Sequence, residues 1–313
     1  MIRSYPHAKA PWSGAIWLDL CNATDDERAQ ITQLTGLRVP EKSAISEIET
    51  SSRVFTENGA LYLSTPLPSS GDTGSSLTSV GFVLTERLLL TVRFADHPVF
   101  EALYAGCVKA GPHGAGDVFL RILEALVDRS ADTLEHTSAE LDALSQRAFH
   151  AEGVKPRQVK EASEALRQAL RKLGQMGDFI SQIRDTLLGI GRIAAFVTET
   201  GSGLLVAQEM PRLKAVRADI ASLNDYQSHL SGKVQFLLDA TLGFINIEQN
   251  DIVKILTVVS VVGVPPVLIA GIYGMNFRHM PELDWSLGYP YALALMVVAG
   301  LAPLAWFKWR GWM

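Results

Sequence analysis

Two long stretches without a charged residue near the C-terminus constrain this chain more than any other feature. They cover residues 255–277 and 285–307, 23 residues each. In a helix that rises 1.5 Å per residue, either stretch spans roughly 34 Å, which is enough to cross a hydrocarbon core of about 30 Å. We therefore predict two C-terminal membrane spans, and a purely soluble protein is excluded.

The charged residues are concentrated ahead of these stretches. Residues 1–253 hold 24 of the 28 Lys and Arg and 31 of the 33 Asp and Glu, a formal charge of −7. Scattered cations on an acidic body do not build a phosphate-binding face, so we expect no nucleic-acid partner. The two cysteines, Cys21 and Cys107, make no disulfide framework and fit a reducing compartment.

The charges that flank the two spans predict their orientation. Lys254 precedes the first span, Lys308 and Arg310 follow the second, and the connection at 277–288 carries one Arg against two acids. The positive-inside rule therefore places both termini in the cytoplasm and the connection outside. Residues 1–18 lack the apolar core of a signal peptide, so no cleavage is expected.

The body combines a small α/β unit with long helices. A short strand is expected at residues 15–19, a helix after Thr24, and hairpins around Asn58-Gly59 and Glu86-Arg87. From Asp117 onward the apolar residues follow helical spacing. No proline occurs between positions 211 and 265, so one helix about 80 Å long could run from the body into the membrane.

The residues offer little chemistry for catalysis. The seven histidines include no HxxxH or HExxH pair, and no Cys/His cluster has the spacing of a zinc site. The loop with Gly111, Gly114 and Gly116 lacks the Lys-Ser/Thr of a P-loop and is better explained as a turn. We therefore expect neither an enzyme nor an organic cofactor.

The outer end of the first span carries the most informative segment, residues 271–277. Gly274 would let the backbone bend and expose carbonyls, and Asn276 offers a neutral carboxamide. A symmetric ring of copies would place several such oxygens around one axis. Neutral oxygens suit a cation that keeps its waters, as Mg²⁺ does. A helix cap followed by a turn fits these residues equally well.

The tripeptide Gly274-Met275-Asn276, followed by the segments at 280–283 and 288–290, resembles the signature of the CorA family of magnesium channels. The resemblance continues upstream at 243–250 and touches most of the chain. It implies an α+β cytoplasmic domain followed by long helices and two C-terminal transmembrane helices, assembled as a funnel-shaped homopentamer. A multi-pass location in a bacterial inner membrane is implied with it.

The same resemblance implies a division of the chain into six parts. They are a cytoplasmic α/β domain (1–115), a helical region (116–250) with a stalk helix at about 211–250, a pore-lining first transmembrane helix (251–276), an extracytoplasmic loop (277–288), a second transmembrane helix (289–308) and a cytoplasmic tail (309–313).

Site residues follow from the resemblance in the same way. The implied selectivity filter is Gly274, Met275 and Asn276, and the implied pore lining is Asn250, Leu256, Val264 and Val267. Asp239 would form an acid ring on the stalk. Cytoplasmic Mg²⁺ would regulate the gate through Glu47 and Asp219, and Glu282 and Asp284 would be acids at the outer mouth.

The implied function is Mg²⁺ uptake down the membrane potential, with Co²⁺ and Ni²⁺ as further cargo. Its partners would be further copies of the chain, the lipid bilayer and divalent cations. Met275 favours the magnesium branch over the related zinc transporters of the ZntB type. Arg278-His279 depart from the family, which often has an acid there, and five arginines would oppose cation capture.

Two other functions fit the residues. A proton-coupled transporter of Zn²⁺ or another divalent cation would use the same scaffold with a different energy source. A membrane-anchored scaffold or sensor without conduction would use the tripeptide only as a helix cap. The polar and Gly-rich content of the first span disfavours the second alternative, because an anchor needs neither.

Overall fold

The computed structural model describes residues 1–7, 12, 14–47, 49–68, 77–149, 159–201, 203–275, 280–281 and 285–311. Within these ranges the chain forms two compact units, Met1–Leu238 and Asp239–Met313. The first unit contains a mixed six-stranded sheet and long helices. The second contains the two apolar helical segments near the C-terminus.

The sheet of the first unit has the strand order β1-β2-β6-β5-β4-β3. Strands β2 and β6 pair in parallel, and every other neighbouring pair is antiparallel. The strands are β1 (Ile2–Tyr5), β2 (Trp17–Cys21), β3 (Val54–Glu57), β4 (Ala60–Pro68), β5 (Leu77–Leu84) and β6 (Leu89–Arg93).

Eight helices lie in the described residues. They are α1 (Asp25–Thr35), α2 (Lys42–Ile45), α3 (Thr50–Arg53), α4 (Pro98–Ala110), α5 (Ala115–Phe149), α6 (Val159–Thr200), α7 (Met210–Tyr273) and α8 (Gly288–Trp309). Helix α7 is 64 residues long and contains the whole proline-free run at 212–264, so the single long helix expected from the sequence is confirmed. The boundary between the two units falls within it.

Local sequence signals explain several of these elements. Thr24 caps α1 in a reciprocal capping box with Glu27. Asn58 and Gly59 both have positive φ, 51° and 79°, as a tight hairpin turn requires, and they join β3 to β4. Leu84 of β5 pairs with Leu89 of β6 across Glu86-Arg87, so both predicted hairpins are confirmed.

The sheet buries an apolar layer on each face. On β4, Leu61 and Leu63 point into the larger core with α4, α5, α6 and α7, whereas Ala60 and Tyr62 point into the smaller core with Ile31 of α1. This period of two along a strand is what a sheet covered on both faces needs. The larger core extends beyond the sheet, where buried side chains of α5, α6 and α7 pack against one another.

The second unit contains the two segments that could cross a membrane. By length and composition, α7 and α8 each contain a window apolar enough for a span, and these windows are almost entirely uncovered by protein. Large apolar side chains at the surface of a single chain need lipid or another protein copy to cover them. The two spans predicted from the uncharged stretches are consistent with this arrangement.

Candidate pore site

In the second unit, α7 and α8 pack together, and each helix buries one stripe of side chains against the other. On α8 the partly or fully buried positions recur every three or four residues. They are Gly288, Ala292, Met296, Ala299, Gly300, Pro303, Leu304 and Phe307. On α7 the matching half-buried positions are Val258, Val262, Pro265, Pro266, Ile269 and Tyr273.

Gly300 marks the point where the two stripes meet. A Cβ at position 300 would lie 3.5 Å from Pro266 Cγ and 3.7 Å from the Val262 carbonyl oxygen. A residue without a side chain therefore lets the two helices approach closely here, as small residues commonly do between membrane helices. The prolines inside α7 lie on this packed face, where a neighbouring helix can support the interrupted backbone.

The expected pore-lining residues lie on the other side of α7. Leu256, Val264 and Val267 are 64%, 60% and 71% exposed. At 100° per residue they fall within an arc of about 80°, centred roughly 160° from the middle of the stripe that α8 covers. In the second unit, these three side chains are therefore available to face further copies of the chain.

The expected filter begins where α7 ends. The Gly274 N–H donates to the Ala270 carbonyl at 2.9 Å, and the Met275 N–H donates to the Ile272 carbonyl at 3.2 Å. A Cβ on residue 274 would stand 3.1 Å from the Ala270 oxygen, so glycine relieves a tight approach at this helix end. Asn276, Glu282 and Asp284 lie outside the described residues.

The cytoplasmic end of the predicted span has a polar surface. Asn250 is exposed, and it shares a surface cavity of about 350 Å³ with Ile247, Asp251, Val253, Lys254 and Thr257. Within it, Lys254 Nζ donates to Asp251 Oδ1 at 2.9 Å. This pair was not predicted from the sequence, although a spacing of three residues on a helix is a recognisable signal. Asp239, the expected acid ring, is exposed on α7.

The two expected regulatory acids, Glu47 and Asp219, lie in different parts of the first unit. Glu47 is exposed between α2 and α3, and its carbonyl accepts a hydrogen bond from Arg53 Nε at 2.5 Å. Asp219 is exposed on α7 and lies near Asp128 of α5. Burial, together with the negative charges of Glu124, Asp132 and Asp219, raises the pKa of Asp128. The negative charge of Asp219 therefore acts on a neighbouring carboxyl group across the two helices.

A charge cluster that was not predicted from the sequence connects α5 to the start of α7. Arg212 forms a bidentate pair with Glu124, at 2.8 and 2.6 Å, and donates to Asp117 Oδ1 at 2.6 Å. Burial alone would raise the pKa of Asp117. Hydrogen bonds from Arg121, Arg212 and the His113 N–H outweigh it and lower that pKa to about 2. The cluster stabilises the first unit.

The fold and the candidate site together define a class of protein: a large α+β unit followed by two apolar helices, the first of which ends at a Gly-Met-Asn tripeptide. The family described as CorA-like Mg²⁺ transporter protein matches residues 12–309. The chain belongs to this family. This finding confirms the resemblance seen in the sequence.

Two relatives show the extent of the similarity. The magnesium transport protein CorA of Escherichia coli (strain K12) is 33% identical over 306 residues, covering 97% of this chain and 93% of the relative. The protein of the same name from Sodalis glossinidius (strain morsitans) is 33% identical over 303 residues, covering 96% and 92%. The similarity therefore includes both units.

Solved structures share the fold. The complete CorA magnesium transporter of Methanocaldococcus jannaschii has a TM-score of 0.74 at 21% identity, covering 95% of this chain and 91% of that one. The full-length CmaX protein has a TM-score of 0.66 at 17% identity, covering 95% and 88%. The predicted fold class of an α+β domain, long helices and two C-terminal membrane helices is confirmed.

Proposed function

We propose that this protein is a channel that carries Mg²⁺ into the cell. Its relatives are named magnesium transport protein CorA, which supports Mg²⁺ as the cargo. The observation that carries the proposal is the face of α7 with Leu256, Val264 and Val267. This face is uncovered, lies opposite the stripe that α8 covers, and leads to the Gly274-Met275 helix end. Co²⁺ and Ni²⁺ are further cargo of the same hydrated divalent type.

The conduction path is formed between copies. One α7 helix cannot enclose an ion, so the proposal includes a homopentamer with the five α7 helices around the axis and the five α8 helices outside. Rings of Asn276 and Asn250 would offer neutral oxygens at the two ends. Leu256, Val264 and Val267 would form apolar constrictions that close by dewetting. Asp239 would add five carboxylates below, with Glu282 and Asp284 at the outer mouth.

The membrane potential supplies the driving force. We place the chain in the inner membrane with both termini in the cytoplasm, in line with the cations Lys254, Lys308 and Arg310. A divalent ion that crosses 100 mV gains roughly 4.6 kcal/mol, twice the value for a unit charge. This corresponds to about three decades of accumulation, so a coupled proton is unnecessary.

Cytoplasmic Mg²⁺ would also regulate the gate. In the described part of a single chain, no three His, Cys, Asp or Glu side chains converge to hold a metal ion. A regulatory ion would therefore draw its carboxylate oxygens from two copies, with Glu47 on one and Asp219 on the next. Such bridges would hold acidic bodies together against their mutual repulsion.

Metal flux into proteoliposomes of the full chain tests this function. We expect Mg²⁺ uptake that follows an imposed membrane potential and persists when the pH gradient is abolished. Asn276→Ala should remove uptake without loss of folding, because it deletes the oxygen ring and leaves the helix packing unchanged. Uptake that needs a pH gradient at clamped potential would support a proton-coupled transporter, and no flux under any gradient would support a scaffold.

A further inference from the structure

The end of the α7/α8 pair that lies away from the tripeptide carries exposed cations and aromatic rings that the ion pathway does not use. Lys254 on α7, Lys308 on α8 and Arg310, the C-cap of α8, are all exposed. Trp306 and Trp309 are 50% and 83% exposed. A membrane-spanning helix pair that ends in such residues has the composition of a lipid headgroup contact.

The contact at Gly300 brings the cations of the two helices to one level. Gly300 lies opposite Val262 and Pro266, so in an antiparallel pair Phe307 is level with about residue 257. The burial pattern agrees, because Phe307 is the last covered residue of α8 and Val258 is the first residue of the covered stripe on α7. A parallel pair would instead place Gly288 near residue 252, where residues 251–256 are all exposed.

This register places Lys254 about one turn beyond the last packed layer on α7, and Lys308 and Arg310 one to three residues beyond it on α8. In the described part of the chain, the one acid within a turn of these cations is Asp251, which pairs with Lys254 at 2.9 Å. The three cations and this one acid therefore give a local formal charge of +2. The formal charge of residues 1–253 is −7, so this end differs in sign from the bulk of the protein.

The aromatic side chains favour a lipid over a soluble anion. The Arg310 guanidinium lies 5.7 Å from the centre of the Trp306 ring, at cation–π distance. Trp309 stands on the same helix end with most of its surface uncovered. An indole beside a cation matches the boundary between acyl chains and phosphates, whereas a free phosphate would give the exposed rings nothing to cover them.

We propose that Lys254, Lys308 and Arg310 form a binding surface for the phosphodiester headgroup of an anionic phospholipid, with Trp306 and Trp309 against its acyl chains. The surface rests on the proposed membrane insertion of α7 and α8. Its cations are not among the residues assigned to the ion pathway, although Lys254 borders the same cavity as Asn250. Its occupant is a lipid of the leaflet in which the C-terminus lies. Five copies would recruit such lipids around the assembly.

Quenching of tryptophan fluorescence by brominated lipids tests the surface in the full chain. A Trp285→Phe background removes the tryptophan at the other end of the spans. In vesicles, brominated phosphatidylglycerol should quench more strongly than brominated phosphatidylcholine. K308Q/R310Q should lose this preference, by roughly fivefold in relative affinity for each cation removed. The charge-conserving K308R/R310K should retain it.

A matched control removes two cations elsewhere. Arg87 and Lys109 are exposed in the first unit, so R87Q/K109Q changes the net charge equally and should keep the preference. Equal quenching of the parent protein by the two lipids would overturn the proposal, as would an unchanged preference in K308Q/R310Q. Loss of the preference on adding inorganic phosphate would also overturn it and assign the site to a soluble anion.

The same measurement separates this proposal from the proposed channel. If neither brominated lipid quenches, α7 and α8 are not in the bilayer and both proposals fail. If both lipids quench equally while Mg²⁺ flux is normal, the lipid surface fails and the channel stands.

Discussion

Gly189 of α6 lies so close to Thr65 of β4 that a Cβ on residue 189 would stand 3.0 Å from both Thr65 Cβ and Pro66 Cδ. The Thr65 hydroxyl also faces the Thr186 carbonyl of α6 at 3.4 Å. Helix and sheet therefore approach each other closely at a position where α6 carries no side chain. Their packing holds the sheet against the long helices of the first unit.

Gly189→Ala should destabilise the protein. Overpacking a tight contact typically costs about 1–3 kcal/mol, and the gain in helix propensity of up to about 1 kcal/mol offsets only part of it. Gly174→Ala on the same helix is the control, because a Cβ there meets nothing within 4 Å. Thermal unfolding in detergent should show a lower Tm for the first variant and an unchanged or higher Tm for the second. Equal Tm values would contradict the close approach.

His97 should make stability depend on pH between about 4 and 6.5. Its ring caps α4, with Nδ1 accepting from the Val99 N–H. Burial, followed by the charges of Arg129 and Arg93, lowers the pKa of His97 to about 4. The unfolded chain then binds more protons in this window, so the free energy of unfolding falls as the pH drops from 6.5 to 4.

His97→Asn tests this titration while keeping a good N-cap. The variant should lose the part of the pH dependence that His97 supplies, at most about 3 kcal/mol across the window. His136→Asn is the control, since it makes the same substitution at a side chain that is 78% exposed and leaves the surroundings of His97 unchanged. Chemical denaturation at several pH values measures the effect. An unchanged slope in His97→Asn would show that another group titrates.

Much of the first unit follows from signals that lie close together in the sequence. The Thr24 capping box and the Asn58-Gly59 turn each act within a few residues, so the chain alone predicts them. The absence of proline from 212 to 264 is likewise visible in the sequence itself. The cluster of Arg212 with Asp117 and Glu124 could not be predicted in this way. Arg212 is 95 residues from Asp117 and 88 residues from Glu124 in the sequence. The cluster exists only once α5 and α7 have packed.

In the candidate site, too, some features follow from the sequence and others appear only in the structure. Helical spacing places Leu256, Val264 and Val267 on one side of α7, but it does not say what that side faces. The contacts of Gly300 supply the missing direction, because they identify the stripe of α7 that α8 covers. Even so, the roles of Asn250 and Asp239 rest on the family resemblance.

Val264→Ser should make the proposed pore leak. A hydroxyl in an apolar constriction keeps water there and so weakens closure by dewetting. We expect a severalfold rise in Mg²⁺ flux when the internal Mg²⁺ is high and the channel should be closed. Val259→Ser is the matched control, since Val259 is also exposed and lies about 140° around the helix. Equal flux in the two variants would argue against the assigned pore face.

The proposed gate can be tested through its response to cytoplasmic Mg²⁺. If cytoplasmic Mg²⁺ closes the channel by bridging acids of neighbouring copies, Mg²⁺ should protect the wild-type body from limited proteolysis. A ligand biases the gate only through its higher affinity for the closed state. Glu47→Gln/Asp219→Asn removes ligands of that bridge, so protection should require several times more Mg²⁺. Selectivity at Asn276 should not change, because the two sites lie on different parts of the chain.

Charge loss alone would also weaken the repulsion between acidic bodies, so a control with the same charge change is needed. Glu86→Gln/Glu135→Gln neutralises two other exposed acids, one at a hairpin tip and one on α5. Its Mg²⁺ dependence of protection should match the wild type. The surroundings of Asp219 sharpen the expectation: Asp128 feels its charge, so Asp219→Asn should lower the pKa of Asp128. Equal protection of both double variants at every Mg²⁺ concentration would make Glu47 and Asp219 ordinary surface acids.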